Sequence, residues 1–372
     1  MTEPGPPEAR PDPVATAGRT ASAEPEAQPD QLIPVPPDES DGDDDDEDDG
    51  SSADEPAGPP RPGLRTFSLE HRAAPGLYLV GWLACLIGLG LFIVSILSGA
   101  SVGRTVLLIG ALALLSLGLV AGAGQQALER RARGWIGFSG PSPFLVFTAV
   151  VPISLLLAVG AAFVLAVLGV SIDSAAGIVV GSLATAVPFI VLVRLLVVGT
   201  GALAWAEMGF VRRGRELAVD IASGVVWGFI LIVGTALLAY ALSSVLPSPP
   251  SPLPVATTFA ERVAVLLVGA VIAPVSEEIF FRGFATTAWA RTMSRTATIV
   301  RSGLFFAFIH VLTVSGALTF EQGLGFATFA FIGRVPISIG LAAIFLRRRS
   351  IYASLAMHAT FNGLPILLVL FT

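Results

Sequence analysis

Five charged side chains sit inside long apolar stretches of this chain: Arg194, Glu277, Glu278, Arg282 and Arg334. A charge at the centre of a bilayer costs about 2.5–3.5 kcal/mol on insertion scales, so one that persists there is read first as functional. Three of the five form one cluster, Ser276-Glu277-Glu278-Ile279-Phe280-Phe281-Arg282. On a helix Glu278 and Arg282 lie four apart and share a face, while Glu277 points about 100° away from Glu278. In a soluble protein that pattern is a solvated, salt-bridged surface; here its surroundings from Val263 to Trp289 are otherwise nearly uncharged. Adjacent carboxylates in a low dielectric cannot both ionise cheaply, which is the condition for a general acid or base working near neutral pH. The plainer alternative is a structural ion pair that locks helices together.

Other scarce polar residues fall at comparable depth. The chain has three His and one Asn, and His310, His358 and Asn362 all lie in apolar stretches. His310 and His358 each follow an Arg (Arg301 and Arg349) by nine residues, which is about 14 Å along a helix. Glu277 precedes Arg291 by 14 residues, or about 21 Å. Asn362 comes one turn after His358 on the same face. These groups are expected to meet at one level of a bundle. A glutamate base beside neutral hydrogen-bond donors is what hydrolysis of an acyl group by water requires. A Ser or Cys nucleophile has little support: the single Cys85 lies far upstream and there is no Gly-x-Ser-x-Gly elbow. Two His and a Glu would also suit a three-ligand Zn2+ site, but no His-Glu-x-x-His is present. The expectation is therefore no cofactor, with zinc as the alternative.

The elements that must position these residues are legible in the composition. The chain has 372 residues, 53% hydrophobic and only 13% charged, with mean hydropathy +0.77, which excludes an ordinary soluble domain. Apolar runs long enough to cross a bilayer cover 76–98, 105–124, 144–169, 176–199, 218–246, 262–289, 299–318, 323–346 and 351–371. No run alternates as a barrel strand would. The fold class expected is an all-α polytopic membrane bundle of about eight or nine helices, with a disordered acidic N-terminal tail. That tail, residues 1–70, is Pro-rich and carries an unbroken acidic run from Asp43 to Asp49; such a composition buries too little apolar surface to offset its ordering entropy. Residues 76–246 form an N-terminal set of spans without an assignable motif, and 262–372 a catalytic core.

Orientation follows from arginine, the chain's only cation apart from His. Arg130, Arg131 and Arg133, then Arg212, Arg213 and Arg215, then Arg291, Arg295 and Arg301, and finally Arg347, Arg348 and Arg349 fall in or beside alternate linkers. The positive-inside rule makes that side cytoplasmic, and with it the N-terminus. Ala/Gly/Pro/Arg-biased composition suggests a bacterial cytoplasmic membrane. Gly pairs at 118/122, 177/181 and 224/228 suit close helix packing. No basic patch interleaved with aromatics supports nucleic-acid binding.

Together, Glu277-Glu278-x-x-x-Arg282, Phe306-x-x-x-His310 and His358-x-x-x-Asn362 resemble, in order and spacing, the signature motifs of the CPBP family of CAAX proteases and bacteriocin-processing proteins. The resemblance covers about residues 262–363. It implies an intramembrane glutamate-type endopeptidase in which Glu277, with His310, activates water. Asn362, helped by His358, would then stabilise the oxyanion, while Glu278 and Arg282 orient the site. The partner implied is a membrane-embedded or membrane-associated peptide or protein, CAAX-like or other, cleaved from the cytoplasmic side. Two other classes compete: a non-enzymatic bacteriocin-immunity or scaffold protein, and a transporter relaying protons through the carboxylates. The intact polar set favours the enzyme over the scaffold, and the lack of an internal repeat counts against the transporter.

Overall fold

The structure is a computed structural model and describes residues 68–211, 213–251 and 253–371. The acidic tail lies almost wholly outside the described residues, as does Arg212. Among those residues every regular element is helical. We number the principal helices α1 (Pro75–Leu97), α2 (Val102–Ala132), α3 (Pro143–Val167), α4 (Ala175–Val198), α5 (Gly214–Ser243), α6 (Phe259–Ala290), α7 (Arg295–Val311), α8 (Phe320–Arg348) and α9 (Ile351–Phe371). All but α7 are long and apolar enough to span a membrane, and each begins within a few residues of its expected start.

The ends follow local chemistry. Ser101, Ser174, Ser294 and Thr319 cap α2, α4, α7 and α8 by accepting a backbone N–H three residues on. Thr258 and Glu261 form a reciprocal capping box at the start of α6. Pro occupies the first turn of α1 and of α3, where its missing N–H costs nothing. Helix α7 departs from expectation. It stops at Val311, at 17 residues, instead of continuing to 318. The hydroxyl of Thr313 takes the His310 carbonyl, and Gly316 turns the chain at φ +84° toward α8. At the other end of α8, Arg349 adopts a left-handed conformation and Ser350 completes a tight turn into α9.

The bundle shows its apolar side chains to the surroundings, as a lipid-embedded protein does. In α5 only 6% of the most apolar window is buried; in α6 the share is 39%, the highest of the eight. Helix α6 is therefore the central rod. Phe280, Phe281 and Phe284 on it pack with Phe147 of α3, Phe189 of α4 and Phe305 and Phe306 of α7 in an edge-on aromatic cluster.

Close approach falls where only some of the paired glycines allow it. A Cβ on Gly118 would lie 2.7 Å from the Cys85 nitrogen, and one on Gly228 2.7 Å from the Met357 carbonyl, so α1/α2 and α5/α9 touch backbone to backbone. Gly224 faces Ala353 and Ala356 of α9 in the same way. Gly181 faces open space, and Gly177 packs on the turn before its own helix; that pair is not a helix seam.

The arginine-bearing ends come together at one end of the bundle. Arg131 of α2 donates to the Thr200 carbonyl beyond α4, Arg291 at the end of α6 pairs with Glu207, and Arg348 of α8 pairs with Asp220 of α5 at 2.7 Å. Arg194, read as buried within a span, is exposed and sits four residues from the end of α4, near that same end.

Candidate active site

The site is built on α6, which is wound unevenly. It opens into wide turns over Val268–Ile272 and Ile279–Thr286. Pro274 follows the first and has no N–H to give the helix ladder. In the second, the Thr286 hydroxyl donates to the Phe281 carbonyl at 2.7 Å and that of Thr287 to the Arg282 carbonyl at 3.3 Å. Both reach five residues back, which holds the wider pitch. Such local widening recurs at functional sites, and here it carries Arg282.

Glu278 is sealed. Its Oε1 accepts from Nδ1 of His358 at 2.8 Å and lies 3.0 Å from an Arg282 guanidinium nitrogen. The Ser354 hydroxyl, one turn before His358 on α9, also reaches this carboxylate. Arg282 is fully buried; it donates to the Ser338 carbonyl of α8 at 3.5 Å and stacks 4.1 Å from the Phe306 ring. One carboxylate thus ties α6 to α9, and its arginine partner ties α6 to α7 and α8. The network is not saturated: Glu278 Oε2 and Arg282 Nε have no hydrogen-bond partner. A buried ion pair with orphan polar atoms is costly to keep, and such groups call for a functional explanation.

Glu277 differs from its neighbour in every respect. Its side chain is 24% exposed, against 1% for Glu278, and Nε2 of His358 lies 3.6 Å from its carboxylate. His358 therefore turns one ring nitrogen to each glutamate. His310 donates from Nδ1 to the Phe306 carbonyl at 2.9 Å, so in the neutral ring Nε2 keeps its lone pair. That ring lines a cavity of about 340 Å³ together with Arg334 of α8. Arg334 makes no ion pair within 4 Å among the described residues. Besides these two, the cavity is lined by Thr235 of α5, the Pro249–Ser251 link and the turn between α7 and α8. It opens at the end of the bundle opposite the arginine clusters.

Asn362 donates to the Gly269 carbonyl of α6 at 3.3 Å, where Gly363 and Ala270 bring the two helices close. This contact lies about two turns along α6 from Glu277. Phe306, ordinary core by its sequence context, is the hub: its ring meets Arg282, His310 at 4.6 Å and His358 at 5.7 Å. His310 sits one turn beyond that hub, at the tip of α7. Ser338 and Ser354 carried no sequence signal beyond lying one turn from Arg334 and His358. No group of three His, Cys, Asp or Glu side chains able to hold a metal ion gathers among the described residues; the histidines are committed to a carboxylate and a carbonyl. As placed, these side chains do not fit the three-ligand zinc alternative.

A helical membrane bundle that buries a Glu-Glu-x-x-x-Arg cluster against a histidine from another span is an integral membrane protein with the polar groups of a hydrolase. Residues 259–364 match the family described as type II CAAX prenyl endopeptidase Rce1-like, in agreement with a CPBP-family protease and with the three motifs. No curated protein and no solved structure matches the chain. The matched family is a protease family, which supports a membrane endopeptidase acting on a membrane-associated peptide or protein.

Proposed function

We propose that this protein is an intramembrane endopeptidase in which Glu277 activates a water molecule for attack on a peptide carbonyl. The contrast between the two neighbouring carboxylates supports this above all. Glu278 is tied up by Arg282 and His358, whereas the Glu277 side chain stays 24% exposed. In this reading Glu277 takes a proton from water while the His310 Nε2 lone pair accepts from the same molecule and aligns it. The hydroxyl oxygen bonds to the carbonyl carbon. Negative charge collects on the carbonyl oxygen, where the free N–H of Asn362 and the unpaired Arg334 guanidinium offer donors. The C–N bond then breaks as the protonated Glu277 returns its proton to the leaving amine. Glu278, Arg282 and His358 hold the geometry.

The substrate is a peptide or protein held at the membrane. The N-terminus and the arginine-bearing end face the cytoplasm in this proposal. The scissile segment reaches Glu277 from the cytoplasmic side in this reading, and the cavity carrying His310 offers room at the opposite end. No cofactor is required.

The test is cleavage of a reporter peptide in proteoliposomes by Glu277→Ala, Glu278→Ala, His310→Ala and Asn362→Ala, each alone, with and without chelator. Loss of turnover in the Glu277 and His310 variants, and indifference to chelator, is expected. Loss with chelator and rescue by Zn2+ would restore the metal reading. Unchanged behaviour across all four would leave a scaffold.

A further inference from the structure

A second cavity, of about 840 Å³, lies at the arginine-bearing end and is lined by Arg130, Arg133, Arg291, Arg301, Trp135 and Trp289 among others. It joins the α2–α3 link to the end of α6 and the start of α7, and it shares no residue with the site around Glu277. Two of its four cations are already matched: Arg133 pairs with Glu129 at 2.6 Å, and Arg291 with Glu207. The other two have no carboxylate partner. Arg130 donates to the Gly140 carbonyl at 2.7 Å. Arg301 lies between the rings of Trp289 and Phe144, 4.9 and 5.1 Å from their centroids. The α2–α3 link is pressed onto the other wall, since a Cβ on Gly137 would lie 2.9 Å from the Arg291 carbonyl. Beside the mouth, Trp135 is 57% and Ile136 93% exposed, a pairing of indole and aliphatic side chain that suits the headgroup layer.

We infer that this cavity holds the phosphate of an anionic phospholipid headgroup. Two unneutralised guanidiniums fixed by rings and a carbonyl are preorganised for bidentate phosphate binding. Basic pockets between spans at the cytoplasmic face bind such headgroups, with about 1 kcal/mol for each Arg near the surface. The bound phosphate would clamp the motif-free helices to α6 and α7, the two helices that carry Glu277 and His310.

The test uses the full chain in micelles doped with phosphatidylglycerol or phosphatidylcholine, or supplied with inorganic phosphate, reading lipid retention by native mass spectrometry and the melting temperature. Phosphatidylglycerol is expected to be retained and to raise the melting temperature; the other two are not. Arg130→Gln/Arg301→Gln should lower its retention at least about tenfold. Arg215→Gln/Arg295→Gln, which removes the same charge from exposed positions at the same end, should leave retention intact. Equal loss in both pairs would reduce the effect to surface charge and overturn the site. A full shift with inorganic phosphate alone would overturn the lipid. If the double variant does not fold, Arg130→Gln alone should lower retention about fivefold, and unchanged retention would refute the inference.

Discussion

Glu277 and Glu278 are chain neighbours on one helix, and their surroundings divide the site in two. The Glu278 side is closed: a buried carboxylate, a buried arginine, a histidine and an aromatic ring from three helices are locked together. On the other side the Glu277 carboxylate is partly exposed, and His310, with a free ring nitrogen, lines a cavity with Arg334. Successive helix positions point about 100° apart, so one sequence step gives the two glutamates different surroundings. The proposed function assigns them separate work, Glu278 to the scaffold and Glu277 to the substrate.

That division is breakable by substitution. The largest expected effect is on rate: Glu277→Gln should lower turnover about 10³–10⁴-fold, in the upper range of general-base contributions, with the melting temperature unchanged. Arg282→Met should act on the other side, leaving the buried Glu278 with His358 but without its guanidinium partner. Removing one partner of a buried pair costs about 3–5 kcal/mol, so thermal or denaturant unfolding should shift accordingly and activity should fall with the folded fraction. If Arg282→Met were as stable as the parent, the closed half would not be structural. Arg334→Gln should lower kcat about 10²-fold at constant stability, the scale of one lost oxyanion donor; an effect confined to KM would place Arg334 on the bound substrate instead. Away from the site, Gly228→Leu should overpack the α5/α9 seam and cost about 1–3 kcal/mol, while the same change at Gly181, which faces open space, should cost far less. Smallest of all, Thr258→Ala removes the α6 cap and should cost about 1 kcal/mol with turnover per folded molecule unaltered.

Most of this architecture was readable from apolar run lengths, because a bilayer demands about 20 such residues from any span. Where α7 stops was not, since the stop depends on Thr313 and Gly316 turning the chain before the apolar run ends. The motif residues were readable by type and spacing, and Glu278, Arg282 and His358 do meet. Which helix faces which is a tertiary fact, so nothing in the sequence placed Asn362 on the Gly269 carbonyl or Phe306 between Arg282 and both histidines. Arg334 was conspicuous as an intramembrane charge, but its lack of a partner emerges only when Glu278 is seen to be taken by Arg282. The wide turns of α6 escaped notice because they rest on hydroxyls at Thr286 and Thr287 reaching carbonyls five residues back.

The claim that Glu277 acts on water, and does not itself attack the peptide, is tested most directly by single-turnover cleavage in ¹⁸O-enriched water. The account predicts that the new peptide carboxylate carries one ¹⁸O atom after the first turnover and that Glu277 remains unlabelled. Unlabelled product, with ¹⁸O appearing in the Glu277 carboxylate, would contradict it.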